Sequence, residues 1–158
     1  MLIRKAGKKD IPYLNKLLLQ VLMVHHYGRP DLFKPDRRKY TDEQLESILE
    51  DAGSPIFVAE LEGGEVAGYA FCNIFEYKNH NIFMDMKTLY IDDICVDENR
   101  RGEHIGKQLF DYVTEYAREN DFYNITLNVW SCNEGAARFY EKCGMVPQKT
   151  GMEYILKK

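Results

Sequence analysis

One stretch of this sequence combines carboxylates, glycines and basic residues in a spacing that suits a phosphate-bearing ligand. The segment IDDICVDENRRGEHIGK reads as a strand, a turn, a glycine-bearing loop and the first turn of a helix. Gly102 and Gly106 would let the backbone approach phosphate oxygens, and unpaired N–H groups at a helix N-terminus attract anions. Arg101 and Lys107 add positive charge. The segment therefore predicts a site for a polyanionic cofactor.

A second stretch, Asn133 to Met145, reads as a helix that follows a predicted strand at 125–129. Asn133, Ala137 and Tyr140 fall at positions i, i+4 and i+7, so they share one helical face.

The spacing of the glycines argues against two common nucleotide ligands. The loop lacks the G-x-x-x-x-G-K-S/T pattern of nucleoside triphosphate sites and the G-x-G-x-x-G pattern of dinucleotide sites. Both stretches instead resemble motifs of the GNAT superfamily of acyl-CoA-dependent N-acyltransferases. Arg101 to Gly106 is similar to that family's pyrophosphate loop, Q/R-x-x-G-x-G/A, and Asn133 to Met145 is similar to its N-x-x-A-x-x-F-Y-x-x-x-G-F segment.

His104 departs from the family pattern, because a glycine usually stands at this position of the loop. A non-glycine residue with positive φ would cost about 1–2 kcal/mol. We expect His104 to be helical instead, since it lies near the helix start, and to donate a hydrogen bond to a CoA phosphate. The alternative is an exposed loop histidine without a binding role.

The resemblance implies acetyl-CoA as co-substrate, with no metal. In the family, two parallel strands splay apart and admit the pantetheine arm; here these are the strands ending near Val96 and Val129. The cofactor-binding residues that the resemblance implies are Ile94, Cys95, Val96, Arg101, Gly102, Glu103, His104, Ile105, Gly106, Lys107, Asn133, Ala137 and Tyr140.

Amine acetylation needs a group that accepts a proton from the ammonium form of the acceptor. In polyamine acetyltransferases of this superfamily a carboxylate stands at the position matching Asp92. Neighbouring strand residues face opposite sides, so only one carboxylate reaches the site unless a bulge intervenes. We expect Asp92 to be the base, with Asp93 as second choice. A purely structural ion pair is the alternative for either.

The departing CoA thiolate needs a proton, and Tyr140 matches the family position for this acid. Its alternative reading is a core-packing tyrosine. No covalent nucleophile stands out, which favours direct attack by the amine in a ternary complex. Two other classes of function stay open: a non-catalytic CoA-binding sensor on the same fold, and a module whose strand gap accepts a peptide edge.

The acceptor is expected to meet the loop at 25–39, which follows the first predicted helix. Candidate acceptor contacts are His26, Tyr27, Phe33, Asp93 and Trp130. Two adjacent histidines lack a third ligand at recognisable spacing, so a metal site is not indicated. A polyamine, an amino acid, an aminoglycoside and a peptide amine all remain candidate acceptors.

Composition limits the class of protein further. The chain has 158 residues, 45% hydrophobic, and we expect a single domain over 1–158. A net charge of −4 argues against a nucleic-acid partner. No run of about 18 apolar residues and no signal-peptide core occur. The cysteines show no C-x-x-C spacing, which favours reduced thiols and a cytoplasmic location. Because superfamily members often pair, a homodimer is a further expectation.

The predicted elements alternate in a way that defines the fold class. Their order predicts an α/β (α+β) fold with a mixed, largely antiparallel central sheet flanked by helices, as in the GNAT superfamily. The first helix follows Asp10 and carries an apolar stripe of Ile11, Leu14, Leu17, Leu18, Val21 and Leu22. The remaining ranges are a helix at 41–51, strands at 56–61, 66–77 and 83–96, and a closing hairpin of 146–148 with 152–156.

Overall fold

The computed structural model describes residues 1–157, and these contain five strands and four helices. Short 3-10 turns at Lys8–Asp10 and Glu98–Arg100 precede the first and third helices. The elements are β1 Leu2–Lys5, α1 Ile11–Gly28, α2 Asp42–Glu50, β2 Ile56–Glu60, β3 Val66–Tyr77, β4 Met86–Val96, α3 Ile105–Glu119, β5 Asn124–Leu127 and α4 Glu134–Lys142.

The strands form one sheet in the order β1-β2-β3-β4-β5. All neighbours are antiparallel except β4 and β5, which run parallel in a register from Thr88 opposite Asn124 to Ile91 opposite Leu127. The predicted mixed, largely antiparallel sheet flanked by helices is therefore confirmed.

Helices cover both faces of the sheet. Most of the stripe on α1 and Leu45 of α2 pack against Tyr69, Phe71 and Cys95 on one face. On the other face, α3 packs through Leu109 against residues that include Leu89 and Ile91 of β4. Successive side chains of β4 thus point to opposite faces of the sheet, so β4 contributes to both cores.

A bulge interrupts β4 at the two predicted carboxylates. Phe71 of β3 lies opposite Asp93, but the next residue, Cys72, lies opposite Ile91, so Asp92 is an extra residue without a partner. A bulge bends its strand and changes which face each side chain meets. As a result both carboxylates lie in the layer of α1 and α2, where Asp92 contacts Lys39 and Asp93 contacts Tyr69.

Two predicted strand ranges differ from the structure. The predicted strand at 125–129 is observed at Asn124–Leu127, because its partner β4 bends away after Ile91. The closing hairpin of 146–148 with 152–156 is wrong for the described chain: residues 146–157 contain no strand and form no backbone hydrogen bond. Strand-forming residues there lack a partner strand within one copy of residues 1–157.

Candidate active site

The gap between β4 and β5 forms the centre of the site. Pairing between the two strands stops at Ile91, while β4 continues to Val96. On the side facing β5, the backbone of 93–96 therefore has no strand partner among the described residues. Side chains on either side are fixed: Ile94 and Val96 pack toward α3, and Cys95 packs toward α1. An extended ligand could take the place of the missing strand.

The loop entering α3 has two residues in the left-handed region. Gly102 has φ +88°, and a Cβ built there would meet no atom within 4 Å. His104, which caps α3, has φ +60° and ψ +14°. The expectation that His104 is helical is therefore wrong. The chain reaches α3 from the 3-10 turn at 98–100, and a left-handed residue reverses its direction at the cost of about 1–2 kcal/mol for a non-glycine side chain.

The first turn of α3 presents free donors to this loop. The first backbone hydrogen bond at the helix start joins the N–H of Gln108 to the carbonyl of His104, at 3.1 Å. The N–H groups before it have no intrahelical acceptor, and the helix dipole adds roughly +0.5 charge at this end. Ile105 is buried and fixes the turn against the core. The loop is therefore suited to an anionic group.

The basic residues near the loop differ in their partners. Arg100 lies 3.6 Å from Glu65 and 3.7 Å from Glu103, and Lys107 is bonded to Asp111 at 2.7 Å. Arg101 forms no ion pair within residues 1–157. Arg101 is therefore the cation whose charge is available to a ligand, while Arg100 offsets the negative charge of Glu103 at the loop.

Helix α4 is fixed next to the loop by small residues and a cap. A Cβ on Gly106 would lie at ordinary contact distance from the ring of Phe139, at 3.5 Å, and from Val96, at 3.6 Å, so α3, α4 and β4 meet at this residue. The side chain of Asn133 accepts a bond from the N–H of Ala136 at 3.1 Å and caps α4. This capping role competes with a role for Asn133 in ligand binding.

Tyr140 lies on α4, where its ring packs against the aromatic residues of α3 and α4. Its ring lies 6.2 Å from that of Phe110 and 5.0 Å from that of Phe139. Burial raises the pKa of Tyr140 well above its ordinary value, and the negative charge of Asp93 raises it further. No residue in 1–157 bonds to its hydroxyl. A protonated phenol with a free hydroxyl is a competent proton donor.

The two adjacent carboxylates have different surroundings. The Lys39 ammonium donates to Asp92 at 2.8 Å, and about a third of the Asp92 side chain is exposed. The fully buried Tyr69 donates its hydroxyl to Asp93 at 2.7 Å. Burial raises the pKa of Asp93 to about 6, although the Tyr69 bond and the charge of Lys39 oppose this. Asp93 therefore changes protonation close to neutral pH.

The connection from α1 to α2 packs against the loop after β5. The ring of Phe33 meets the edge of the Trp130 ring at 5.4 Å, and His26 Nδ1 lies 2.7 Å from the Phe33 carbonyl. A Cβ on Gly28 would lie 2.6 Å from Cys132 Sγ, so the two segments touch. Tyr27 differs from these residues, since 77% of its surface is exposed.

Several residues that shape this region carry no motif in the sequence. The ring of His25 packs against that of Phe33 in a tilted arrangement, with 5.1 Å between ring centres, and the pKa of His25 is lowered by burial and by the charge of Lys39. Lys39 lies in a run of basic residues, which is a weak signal for a carboxylate partner. Tyr69 had no signal, because its bond to Asp93 depends on the β3–β4 register.

Neither a metal centre nor a membrane-spanning helix is found in the described chain. Among residues 1–157, no three His, Cys, Asp or Glu side chains converge closely enough to hold a metal ion. No helix in that part of the protein has the length and apolarity required to cross a bilayer.

Comparison with known proteins assigns this chain to a family. The model of the acetyltransferase (GNAT) family matches residues 21–145, and the chain belongs to that family. It is an acyltransferase, and the family generally uses acetyl-CoA as its acyl donor.

Individual relatives agree with this assignment. An X-ray structure of a tetramutant Bacillus halodurans protein superposes with a TM-score of 0.94 at 31% identity, covering 99% of this chain and 100% of that one. An uncharacterized N-acetyltransferase from Lactobacillus delbrueckii subsp. lactis is 29% identical over 147 residues, which is 90% of this chain and 83% of that protein. Glucosamine-6-phosphate N-acetyltransferase from Arabidopsis thaliana superposes with a TM-score of 0.67 at 25% identity, covering 99% and 98%.

Proposed function

We propose that this protein transfers the acetyl group of acetyl-CoA to the primary amine of a small molecule or a peptide. The proposal is supported by three features near the gap between β4 and β5: the unpaired donors at the start of α3, the Tyr140 phenol influenced by the charge of Asp93, and the carboxylate of Asp93 itself. The amine attacks directly in a ternary complex. Cys95, the only cysteine on the gap strand, supports this, because burial raises its thiol pKa to about 12 and leaves it a poor nucleophile.

The residues around the gap fit acetyl-CoA, which supplies the acetyl group as a thioester. The α3 N-terminus and Arg101 would hold its phosphates, since the donors there are unpaired and Gly102 leaves open space above the backbone. The free backbone of 94–96 would bond the pantetheine amides. Ala137, half-buried on α4, would pack beside them.

We assign the base role to Asp93, ahead of Asp92. A base works best when its pKa lies near the operating pH, and the pKa of Asp93 is raised to about 6. Asp92 instead neutralises Lys39 across a 2.8 Å contact. Asp93 is half-buried rather than sealed, so it takes the ammonium proton directly or through one water.

Tyr140 is the proposed acid for the departing thiolate. Its hydroxyl stays protonated at all working pH values, because burial and the charge of Asp93 raise its pKa. Proton transfer by a positioned side chain typically contributes ~10²- to 10⁴-fold to a rate.

The acceptor is placed between Asp92, Asp93 and the aromatic pair Phe33 and Trp130. Carboxylates attract a cationic amine, and ring faces favour its positive charge. The Arabidopsis relative acts on glucosamine 6-phosphate, which is a small amine-bearing sugar, and we extend to this chain only the class of small amines. The four cysteines are free thiols, which suits a reducing cytoplasmic location.

The test is CoA thiol release from acetyl-CoA with pools of polyamines, aminoglycosides, amino acids and short peptides. Release should require one pool, and mass spectrometry should find an acetylated amine in that pool. The matched control is the same pool after chemical acetylation of its amines, which should give no release. Equal release with blocked and free amines would refute N-acetylation. Binding of CoA without turnover in any pool would instead favour a sensor.

A further inference from the structure

The hairpin formed by β3 and β4 extends past the rest of the sheet, at the opposite end of β4 from the proposed phosphate site. The first residue of β2, Ile56, lies opposite Phe71, so β3 has no partner in β2 from Cys72 to its end at Tyr77. The layer of α1 and α2 reaches as far as Phe71, on which the ring of Tyr40 stacks at 6.2 Å. Beyond Phe71, this face of the hairpin is open.

Alternation along the two strands shows which residues lie on the open face. Ile74 of β3 and Leu89 of β4 pack toward α3, so their neighbours Phe75 and Tyr90 face the layer that holds the two carboxylates. The rings of Phe75 and Tyr90 lie 5.7 Å apart. Tyr90 precedes Asp92 by two residues, and the ring pair therefore begins beside the proposed acceptor site.

Aromatic residues continue from this pair to the tip of the hairpin. Tyr77 lies two residues beyond Phe75 on the same face, and its ring lies 4.9 Å from that of Phe83 and 5.7 Å from that of His80. The exposed fractions are 48% for Phe75, 36% for Tyr77 and 48% for Phe83. We call Tyr90, Phe75, Tyr77 and Phe83 the aromatic strip. It gives the acceptor site a long, exposed apolar extension.

The surface around the strip carries no charge along the two strands. The other residues that alternation puts on this face are Asn73, Met86 and Thr88. Glu76 and Lys87 lie on the opposite face, where the Lys87 ammonium is 4.2 Å from the centre of the Phe122 ring. A ligand on the strip therefore gains apolar contacts, and its ion pair is confined to the carboxylate end.

The length of the strip sets the size of its ligand. The distance along β4 from Asp92 back to Met86, which lies opposite Tyr77, is roughly 20 Å at the usual rise of a strand. An extended peptide spans at most about 3.3–3.6 Å per residue, so about six residues fit this distance. An amine the size of a single amino acid would reach only Tyr90.

Hydrogen-bond donors lie between the rings. Asn128, just past the end of β5, donates to the Tyr90 hydroxyl at 3.2 Å, and that hydroxyl keeps its own hydrogen to donate. The side-chain oxygen of Asn73 accepts from the Ser54 hydroxyl at 3.1 Å, which leaves the amide NH₂ group as a donor. Peptide carbonyls would use both donors, whereas an alkyl chain would leave them unpaired.

We propose that the acceptor is the α-amino group of a peptide whose first residues are uncharged and apolar, and that the aromatic strip binds these residues. This inference rests on the proposed acetyl transfer and names its acceptor. The amine loses a proton to Asp93 and its nitrogen bonds to the acetyl carbon, while the C–S bond breaks and the sulfur takes the proton of Tyr140. Exchange with water returns both side chains to their starting forms.

A peptide is favoured over a polyamine of the same length. The inner ammonium groups of a polyamine would lie over the strip, where the two strands offer no carboxylate. A neutral peptide places its one charge at Asp92 and Asp93 and its apolar side chains on the rings. The polyamine and a second copy of this chain are the competing occupants.

The test compares kcat/KM for three peptides with a free N-terminal alanine. One is a hexapeptide of Leu and Phe after the alanine, one is a hexapeptide of Ser and Gln, and the third is the dipeptide Ala-Ala. The apolar hexapeptide should be preferred about tenfold, since each aromatic contact contributes roughly two- to tenfold. In the variant Phe75→Thr with Tyr77→Thr, which keeps strand-forming residues, this ratio should fall close to one.

The matched control is Leu2→Thr with Tyr123→Thr, whose side chains are exposed, at 60% and 73%, but lie outside the strip. It should keep the preference of the wild type. An equal ratio in the wild type and the Phe75/Tyr77 variant overturns the proposal. So does a preference for a linear triamine over both hexapeptides that is lost in that variant, because the occupant is then a polyamine.

Calorimetry of peptide binding to the protein with CoA needs no turnover, and it separates the strip from the chemistry. The Phe75/Tyr77 variant should bind the apolar hexapeptide about tenfold more weakly than the wild type. This loss without acetyl transfer to any peptide would overturn the acceptor role together with the proposed function. Transfer to the dipeptide as efficient as to the apolar hexapeptide would overturn the strip alone. Slow hydrogen exchange at 73–77 that depends on protein concentration, without peptide, would assign the strip to a second copy.

Discussion

The cofactor side and the acceptor side of the site are held together in different ways. On the cofactor side, Arg101 to Lys107 and the start of α4 depend on backbone conformation and caps within a few residues. On the acceptor side, Lys39 meets Asp92 and Phe33 meets Trp130 across long stretches of chain. The proposed phosphate site therefore depends on local sequence, whereas the proposed acceptor site depends on tertiary packing.

The two sides should also respond differently to mutation. Changes in the loop should alter acetyl-CoA binding and leave the acceptor unaffected. Changes at the carboxylates should alter the pH dependence of catalysis and leave acetyl-CoA binding unaffected. Tyr140 lies between the cofactor side and the acceptor side, since it is on α4 and its pKa is raised by the negative charge of Asp93.

The largest effect is expected at Tyr140. Tyr140→Phe should lower kcat by about 10²-fold, because the thiolate loses its proton donor while ring packing is kept. Steady-state kinetics should show the acetyl-CoA KM little changed. The control is Tyr112→Phe, which changes an exposed tyrosine of α3 and should leave kcat at the wild-type value. An unchanged kcat in Tyr140→Phe would remove the phenol from the acid role.

A smaller effect is expected at Arg101. Arg101→Ala should weaken CoA binding about tenfold, since a hydrogen bond to a charged group is worth about 1.5–3 kcal/mol. Calorimetry at two salt concentrations should show the loss shrinking as salt screens the phosphates. Arg100→Ala should do less, because Glu65 and Glu103 already neutralise Arg100. The reverse order would contradict the assignment of the free cation.

Lys39 tests the acceptor side through its effect on the pH dependence of activity. Its positive charge lowers the pKa of Asp93, so Lys39→Gln should raise that pKa above about 6. The base would then be protonated over a wider range. A rise of about one pKa unit lowers the ionised fraction of Asp93 several-fold near pH 6, so activity should fall several-fold there. Activity should change little at pH 8, where Asp93 is ionised in both proteins. A uniform loss across pH would indicate a role in acceptor binding instead.

The smallest effect is on stability at His104. Replacing a left-handed histidine by glycine removes about 1–2 kcal/mol of strain but increases unfolded-state entropy. His104→Gly should therefore raise the free energy of unfolding by about 0.5–1 kcal/mol in urea. His104→Ala keeps a Cβ and should give no gain. Equal stability of the two variants would show that the loop relaxes in solution.

The sequence predicted those parts of the fold that local pattern controls. The apolar stripe of α1, the helix at 41–51 and the mixed sheet are confirmed, because side-chain periodicity decides them. The closing hairpin was wrong, since a strand needs a partner that periodicity does not supply. His104 was also misjudged, because its conformation follows from the angle at which the chain enters α3.

For the site, motifs and spacing identified the candidate residues but not which of them contact one another. The two adjacent carboxylates could be identified from their place in the predicted strand. Which of them is the better base, however, depends on a bulge that appears only in the β3–β4 register. Lys39 and Tyr69, which distinguish the two, are distant in sequence. The base assignment could not have been made without their positions.

The most direct test of this account is the pH dependence of kcat/KM for the wild type, Asp93→Asn and Asp92→Asn with one active amine. Ionisation of the amine contributes equally to all three profiles, so their differences report the protein. Wild-type activity should fall as pH drops through about 6, the pKa to which burial raises Asp93. Asp93→Asn should lose this inflection and about 10²-fold in rate, while Asp92→Asn keeps the inflection. Loss of the inflection in Asp92→Asn alone would contradict the account.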